Sequence, residues 1–221
     1  MKKVILTMNE DNPYTKIMKL FEWIMRLVYL NLLWLLFSFI GGIILGVMPA
    51  TASLFAVFRK WYQKEDDFPL FQTYLNEFKR SFKIANLVGQ TLVLIGGILY
   101  LDVLLLLGTS HWMGQLLLMG VGALSFIYLV TLLYIFPTLV HFDLSYKQYF
   151  KHSFLLGVLQ PFRTLLLMIT LSLSALLFLT FPILLPLFAA SFMAALTMWS
   201  FLFGYKKLAD RYEHMKKTEP N

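Results

Sequence analysis

The sequence predicts an all-α polytopic membrane helix bundle, and three observations predict it. Residues Thr164 to Tyr205 form a stretch of 42 residues without a charged side chain, broken only by Pro182 and Pro186. A helix rises about 1.5 Å per residue and a bilayer core is about 30 Å thick, so this stretch holds about two crossings. Two further blocks are almost as bare: Leu27 to Phe58 carries no charge, and Ile84 to Val140 carries only Asp102, with His111 nearby. The composition agrees. It is 59% hydrophobic and only 14% charged, with a mean hydropathy of +0.70. Those values lie outside the soluble globular range.

Each block has a turn signal near its middle: Gly41-Gly42 through Gly46 and Pro49, then Gly108-Thr109-Ser110-His111, then Pro182 to Pro186. Each block therefore reads as a helical hairpin, giving six crossings. The second helix, from Pro49 to about Tyr62, is short enough to be a half-span or re-entrant. Lys and Arg residues support this count. Lys2, Lys3, Lys16, Lys19 and Arg26 precede the first block, and Arg59, Lys60, Lys64, Lys79, Arg80 and Lys83 follow it. Lys147, Lys151 and Arg163 separate the second block from the third, and Lys206, Lys207, Arg211, Lys216 and Lys217 end the chain. The three turns hold none, so both termini are expected in the cytoplasm under the positive-inside rule. A five-crossing alternative with the amino terminus outside would strand five basic residues on the wrong face.

One membrane domain is expected over residues 1–205, with a basic cytoplasmic tail over 206–221. The opening run Met1 to Met8 imitates a signal peptide, but it is short and ends at Asn9-Glu10-Asp11, so it reads as a retained cytoplasmic arm. The net charge of +7 flanks apolar spans, which fits anionic headgroups rather than nucleic acid. The chain has no cysteine, which excludes disulfides, thiol catalysis and thiolate metal sites.

The two longer connections between blocks read as cytoplasmic interfacial amphipathic helices. In the first, Asp67 can cap, Pro69 can start the helix, and Phe71, Leu75, Phe78 and Phe82 share one face. In the second, Asp143 can cap and Tyr146, Phe150 and Phe154 make the stripe. Such helices lie in the headgroup plane with aromatics down and cations up. Phe78-Lys79-Arg80-Ser81-Phe82 also matches Phe150-Lys151-His152-Ser153-Phe154 at four of five positions, 72 residues later. That spacing suggests an internal duplication.

No enzyme signature is present: no dinucleotide-binding, Walker, zincin or nucleophile-elbow motif. No metal or cofactor is expected. His141 and His152 are read as solvated near the inner interface, three helical turns apart. Asp102 is the only acid within a block and falls near the outer surface, either as a wetted interfacial residue or as an ion or proton site. Asn31, Asn86, Gln90 and Gln115 are the other strong polar groups in the spans, suited to hydrogen bonds between helices or to a polar path. The most distinctive stretch runs from Gly46 to Trp61, where small residues give way to a basic-aromatic anchor. Pro49, Thr51, Ser53, Asn86 and Asp102 are therefore the candidate ligand or partner site. Arg59, Lys60, Trp61, Lys79, Arg80, Lys151 and His152 are the candidate headgroup or partner contacts.

The run Pro49-Ala50-Thr51-Ala52-Ser53-Leu54-Phe55, followed by Arg59-Lys60-Trp61, resembles the YesL-like family of bacterial integral membrane proteins, whose function is unknown. The acidic Glu65-Asp66-Asp67 and the Phe78-Lys79 segment leading to Ala85-Asn86-Leu87 add to the likeness, which covers roughly residues 17 to 90. The resemblance implies a multi-pass protein of the bacterial cytoplasmic membrane. It also implies a role near carbohydrate uptake or utilisation, with a sugar transporter permease as candidate partner alongside the bilayer. It brings no catalytic residues. Three classes stay open: a non-enzymatic accessory protein, a small-molecule transporter built on the repeat, and a membrane enzyme.

Overall fold

A computed structural model of the chain describes residues 13–65, 68–109 and 111–218. Asp66, the cap expected at Asp67, Ser110 of the second turn and the Met1–Met8 arm lie outside the described residues.

The described chain folds into seven α-helices: α1 (Pro13–Ile40), α2 (Val47–Tyr62), α3 (Leu70–Leu106), α4 (Trp112–His141), α5 (Tyr146–Val158), α6 (Pro161–Thr180) and α7 (Leu185–Thr218). A short 3₁₀ turn, Pro182–Leu184, joins α6 to α7. Helices α1, α3, α4 and α6 are long and apolar enough to cross a membrane, as is the stretch Pro182–Asp210 that contains most of α7. The six expected crossings thus resolve into five long apolar helices and the short α2. At 16 residues, α2 spans only about 24 Å.

The first and third expected turns form, and in the second the chain leaves the helix at Gly108 and Thr109. Gly41 to Gly46 reverses the chain between α1 and α2. Gly42 sits at φ +76°, a conformation that costs glycine little. Gly41 and Gly46 pack against each other so closely that a Cβ on Gly41 would strike the Gly46 backbone. Ile43, a β-branched residue, is held at φ +58° on the tip. That is a strained backbone for its type.

Helix α2 is the centre of the bundle. It packs against α1, α3, α4 and α7, and ten of its sixteen residues are buried. Its small side chains allow this. Ala50, Ala52, Ser53 and Ala56 are each no more than 1% exposed, so neighbouring backbones can approach closely. The α1 ring of Phe37 packs at a tilt against the rings of Phe71, Tyr74 and Phe78 of α3. Met198 and Phe201 of α7 close the same core.

The amphipathic segments differ from expectation. The first is not a separate element. It is the opening of α3, which runs unbroken for 37 residues because neither Gly nor Pro interrupts it before Gly89. Its buried face is Tyr74, Phe78, Ser81 and Ala85, while Phe71 is half exposed. The face meets protein, not headgroups. The second segment is a separate helix, α5. Its amino-terminal cap is Ser145 rather than Asp143: the Gln148 side chain accepts from the Ser145 N–H at 3.0 Å, half of a capping box. Pro161 separates it from α6, since a residue before proline avoids helical geometry.

At the spacing of the matched pentads the elements repeat only in part, because α3 is one helix whereas the equivalent stretch holds α5 and α6, broken at Pro161. A shift of 72 residues carries the start of α3 to Phe142, and the start of α4 to Leu184, next to the start of α7. Ser81 and Ser153, equivalent within the pentads, are both buried, and Lys79 and Lys151 are both exposed. Residues 206–218 of the expected tail continue α7.

Candidate functional site

Two polar centres emerge, one at the α1–α2 tip and one at the carboxyl end of α4. The first has Asn86 at the tip itself, with Pro49, Thr51 and Ser53 following on α2. Ser53 Oγ donates to Pro49 O at 2.8 Å, and Thr51 Oγ1 donates to Val47 O at 2.7 Å. The Trp34 indole N–H of α1 donates to Thr51 Oγ1 at 3.0 Å. Asn86 Nδ2 of α3 donates to Leu45 O and to Phe82 O, both at 2.9 Å. Gln90, one turn later, donates to Ile44 O at 3.0 Å. Two side-chain amides on one face of α3 therefore hold the open carbonyls of the tip. Such carbonyls have no helix partner of their own, and lipid offers none. Ile43, Ile44 and Leu45 point their apolar side chains outward from this clamp. Along α3 the clamp lies 16 residues before Leu106, about 24 Å.

Asp102 does not join this group. It is 16 residues beyond Asn86 along α3, near the end of that helix, and partly exposed. Gln115 is likewise exposed near the start of α4. Asn31 forms its own link: Nδ2 donates to Pro186 O at 2.8 Å, and Oδ1 accepts from the Ser191 N–H at 3.0 Å. It ties α1 to the first turns of α7 while only 1% exposed. Buried atoms left without a partner at the tip are Ser38 Oγ and Asn86 Oδ1.

The second centre was not legible as one in the sequence. Arg59, in the last turn of α2, donates through Nη1 to Val140 O. Val140 is among the last residues of α4, whose terminal carbonyls lack intrahelical donors. A guanidinium there caps the helix and meets its negative end. His141 is not solvated as expected: its ring packs edge-on against Phe142, Phe201 and Tyr205, at 4.7, 5.5 and 4.9 Å between centroids. Arg59 Nε, Thr138 Oγ1, His141 Nδ1 and, on the adjoining α5, Ser153 Oγ are buried without partners. The one available signal was a cation in the last turn of a short helix, which needs an acceptor nearby.

The candidate headgroup contacts divide. Trp61 is only 7% exposed, covered by the Arg26 guanidinium at 5.1 Å from its ring and edge-on to Trp23 and Phe58. It and Arg59 are used inside the bundle, because α2 is surrounded by protein. Lys60 lies 5.3 Å from the Phe68 ring centroid. Lys79, Arg80 and Lys151 are exposed, Arg80 at 3.4 Å from Glu77. His152 is half-buried beside Phe142. No group of three or more metal-ligating residues occurs among the described residues.

The family described as "Protein of unknown function, DUF624" matches residues 27–103, which hold the tip, α2 and its α3 clamp. The chain is 44% identical over 151 residues to the uncharacterised protein YteU of Bacillus subtilis (strain 168), covering 68% of each chain. It is 35% identical over 145 residues to YesL of the same organism, covering 65% of this chain and 68% of YesL. With YesV it shares 28% identity over 186 residues, covering 84% of this chain and 89% of YesV. No solved structure matches. With the tip, the buried short helix and its amide clamp inside the matched region, the chain belongs to the DUF624 family of uncharacterised, YesL-like proteins.

Proposed function

We propose that this protein is a non-enzymatic accessory protein of the bacterial cytoplasmic membrane, packing its α3–α4 arm against the membrane helices of another protein. The observation that carries the reading is that arm. From Val93 to Leu129 no described residue is buried, although two apolar helices run side by side there. Inside the bundle, by contrast, the amides of Asn31, Asn86 and Gln90 hold backbone carbonyls, as do the hydroxyls of Tyr62 and Tyr74. Polar groups committed to carbonyls build a scaffold. The family resemblance supplies the setting, carbohydrate uptake, with a sugar transporter permease as the partner. The positive-inside rule puts the cation-rich ends of α2, α3 and α7, and both termini, in the cytoplasm.

The test is a photo-reactive residue placed at Leu104 on the arm and, separately, at Leu166 on α6, under native expression. The expected result is one membrane-protein adduct at Leu104, a transport subunit, and none at Leu166. Adducts at neither position, or equally at both, would overturn the reading. A second reading, a small-molecule transporter, draws on the matched pentads and on the starts of α4 and α7, which lie about 72 residues apart. It requires solute uptake in proteoliposomes that Asn86→Ala or Asp102→Asn alters.

A further inference from the structure

We infer that the amino-terminal end of α6, where it meets α7, is a binding site for one anionic membrane phospholipid. The inference does not depend on the accessory reading. Two adjoining spaces make the site, and Arg163 lines both. The first, about 330 Å³, is lined by residues that include Gln160, Pro161, Arg163, Gly204 and Lys207. The second, about 130 Å³, continues between α6 and α7 along Leu166, Thr170, Leu196, Trp199 and Phe203. The first space is cationic and the second apolar. Headgroup and acyl chain need that order.

The cationic end has donors to spare. The Arg163 guanidinium lies 4.1 Å from the Phe203 ring centroid. Stacking of this kind holds the group in place and leaves its N–H edge open. Its single hydrogen bond within the described residues is a long one, 3.4 Å, to Ser200 O. Neither Arg163 nor Lys207 pairs with a carboxylate among the described residues, although Asp210 lies one turn beyond Lys207. Helix α6 adds to this. Its first backbone bond is from the Thr164 N–H to Gln160 O at 3.0 Å, so the N–H groups of Phe162 and Arg163 precede the ladder. A 20-residue helix also presents its positive end there. Gly204 leaves room for the Gln160 side-chain amide, which lies against α7 where a Cβ would otherwise strike it. A phosphate is thus met by a guanidinium, an ammonium and free backbone N–H groups. The groove below explains why the ligand is a lipid and not free phosphate, since five side chains of mostly apolar character continue from the same arginine.

The experiment uses the full chain, delipidated in detergent, with phosphatidylglycerol or phosphatidylcholine added back and bound lipid counted by native mass spectrometry. Phosphatidylglycerol should bind at least about fivefold more tightly than phosphatidylcholine, in line with the contribution of a cation beside an anionic headgroup. Arg163→Gln with Lys207→Gln should abolish that preference. Lys83→Gln with Lys147→Gln, which removes the same charge from exposed positions elsewhere, should leave it unchanged. Leu196→Trp, which narrows the groove at constant charge, should weaken binding of both lipids, and it decides the matter alone if the Arg163 and Lys207 pair fails to fold. Millimolar glycerol phosphate should not compete. Equal binding of the two lipids, equal loss in the Lys83 and Lys147 control, an unaffected Leu196→Trp variant, or displacement by glycerol phosphate would each overturn the assignment.

Discussion

Helix α2 and the α3–α4 arm are both apolar, yet they meet opposite surroundings. α2 is enclosed by four helices, while the arm between Val93 and Leu129 touches little besides itself. Hydropathy alone does not separate them. The placement of small side chains does: in α2 they lie on buried faces, whereas Gly97, Gly120 and Gly122 of the arm have nothing within 4 Å of where a Cβ would sit. α2 reads Pro-Ala-Thr-Ala-Ser from Pro49, with further small residues at Ala56, whereas the arm reads Leu-Leu-Leu-Leu from Leu104 to Leu107. Lipid is as apolar as leucine, so helices in a bilayer gain from association mainly where small side chains let backbones pack and hydrogen-bond. The sequence of α2 is built for contact with protein, and that of the arm for a soft or exchangeable neighbour.

The comparison breaks most sharply by enlarging α2. Ala56 is 1% exposed amid the α1, α3, α4 and α7 packing. Ala56→Leu should cost about 1–3 kcal/mol or more through overpacking. It would show as a lower melting temperature in detergent and a loss of the monodisperse elution peak. The matching change in the arm is Gly97→Leu, where nothing lies within 4 Å of the new Cβ. It should shift stability by less than about 0.5 kcal/mol. Equal effects at the two positions would mean that α2 is not the packing centre.

Next in size is Asn31. Asn31→Leu removes the amide from a buried site and leaves Pro186 O and the Ser191 N–H to find new partners. Unmet buried groups cost about 1–3 kcal/mol, while hydrogen bonds between membrane helices average nearer 0.6 kcal/mol. The expected loss is about 1 kcal/mol, read as a melting shift that Asn31→Asp does not rescue, because a carboxylate cannot donate to Pro186 O.

Much of this was legible beforehand. Charge-free blocks and turn glycines fixed the membrane class and the hairpins, and Pro49 with its small neighbours marked α2 as short and special. The separate helix expected from Pro69 to Lys83 was not found, for a definite reason. The change from amphipathic to apolar near Ile84 is a change of side chains, and backbone hydrogen bonding continues through it unless Gly or Pro intervenes. The partners of Asn31 and Arg59 were illegible for another reason. They are backbone carbonyls 155 and 81 residues away, and a carbonyl leaves no trace in composition or spacing. Polar residues in the spans were readable as helix ties; which helices they tie was not.

The smallest effect sharpens the other side of the comparison. Asn86→Leu with Gln90→Leu releases the α1–α2 tip from α3 while keeping α3 apolar. The tip retains its internal bonds, from the Ile43 N–H to Ser38 O at 2.8 Å and from the Val47 N–H to Ile43 O at 3.0 Å. The loss should therefore be modest, under about 1 kcal/mol for the pair. Hydrogen exchange is the better measurement, because it reports local opening below the global stability. The amides of 41–47 should exchange faster in the double variant while those of 52–58, in the buried half of α2, stay protected. If both segments loosened together, tip and buried helix would be one cooperative unit, and the enclosure of α2 would depend on the α3 clamp as much as on its small side chains.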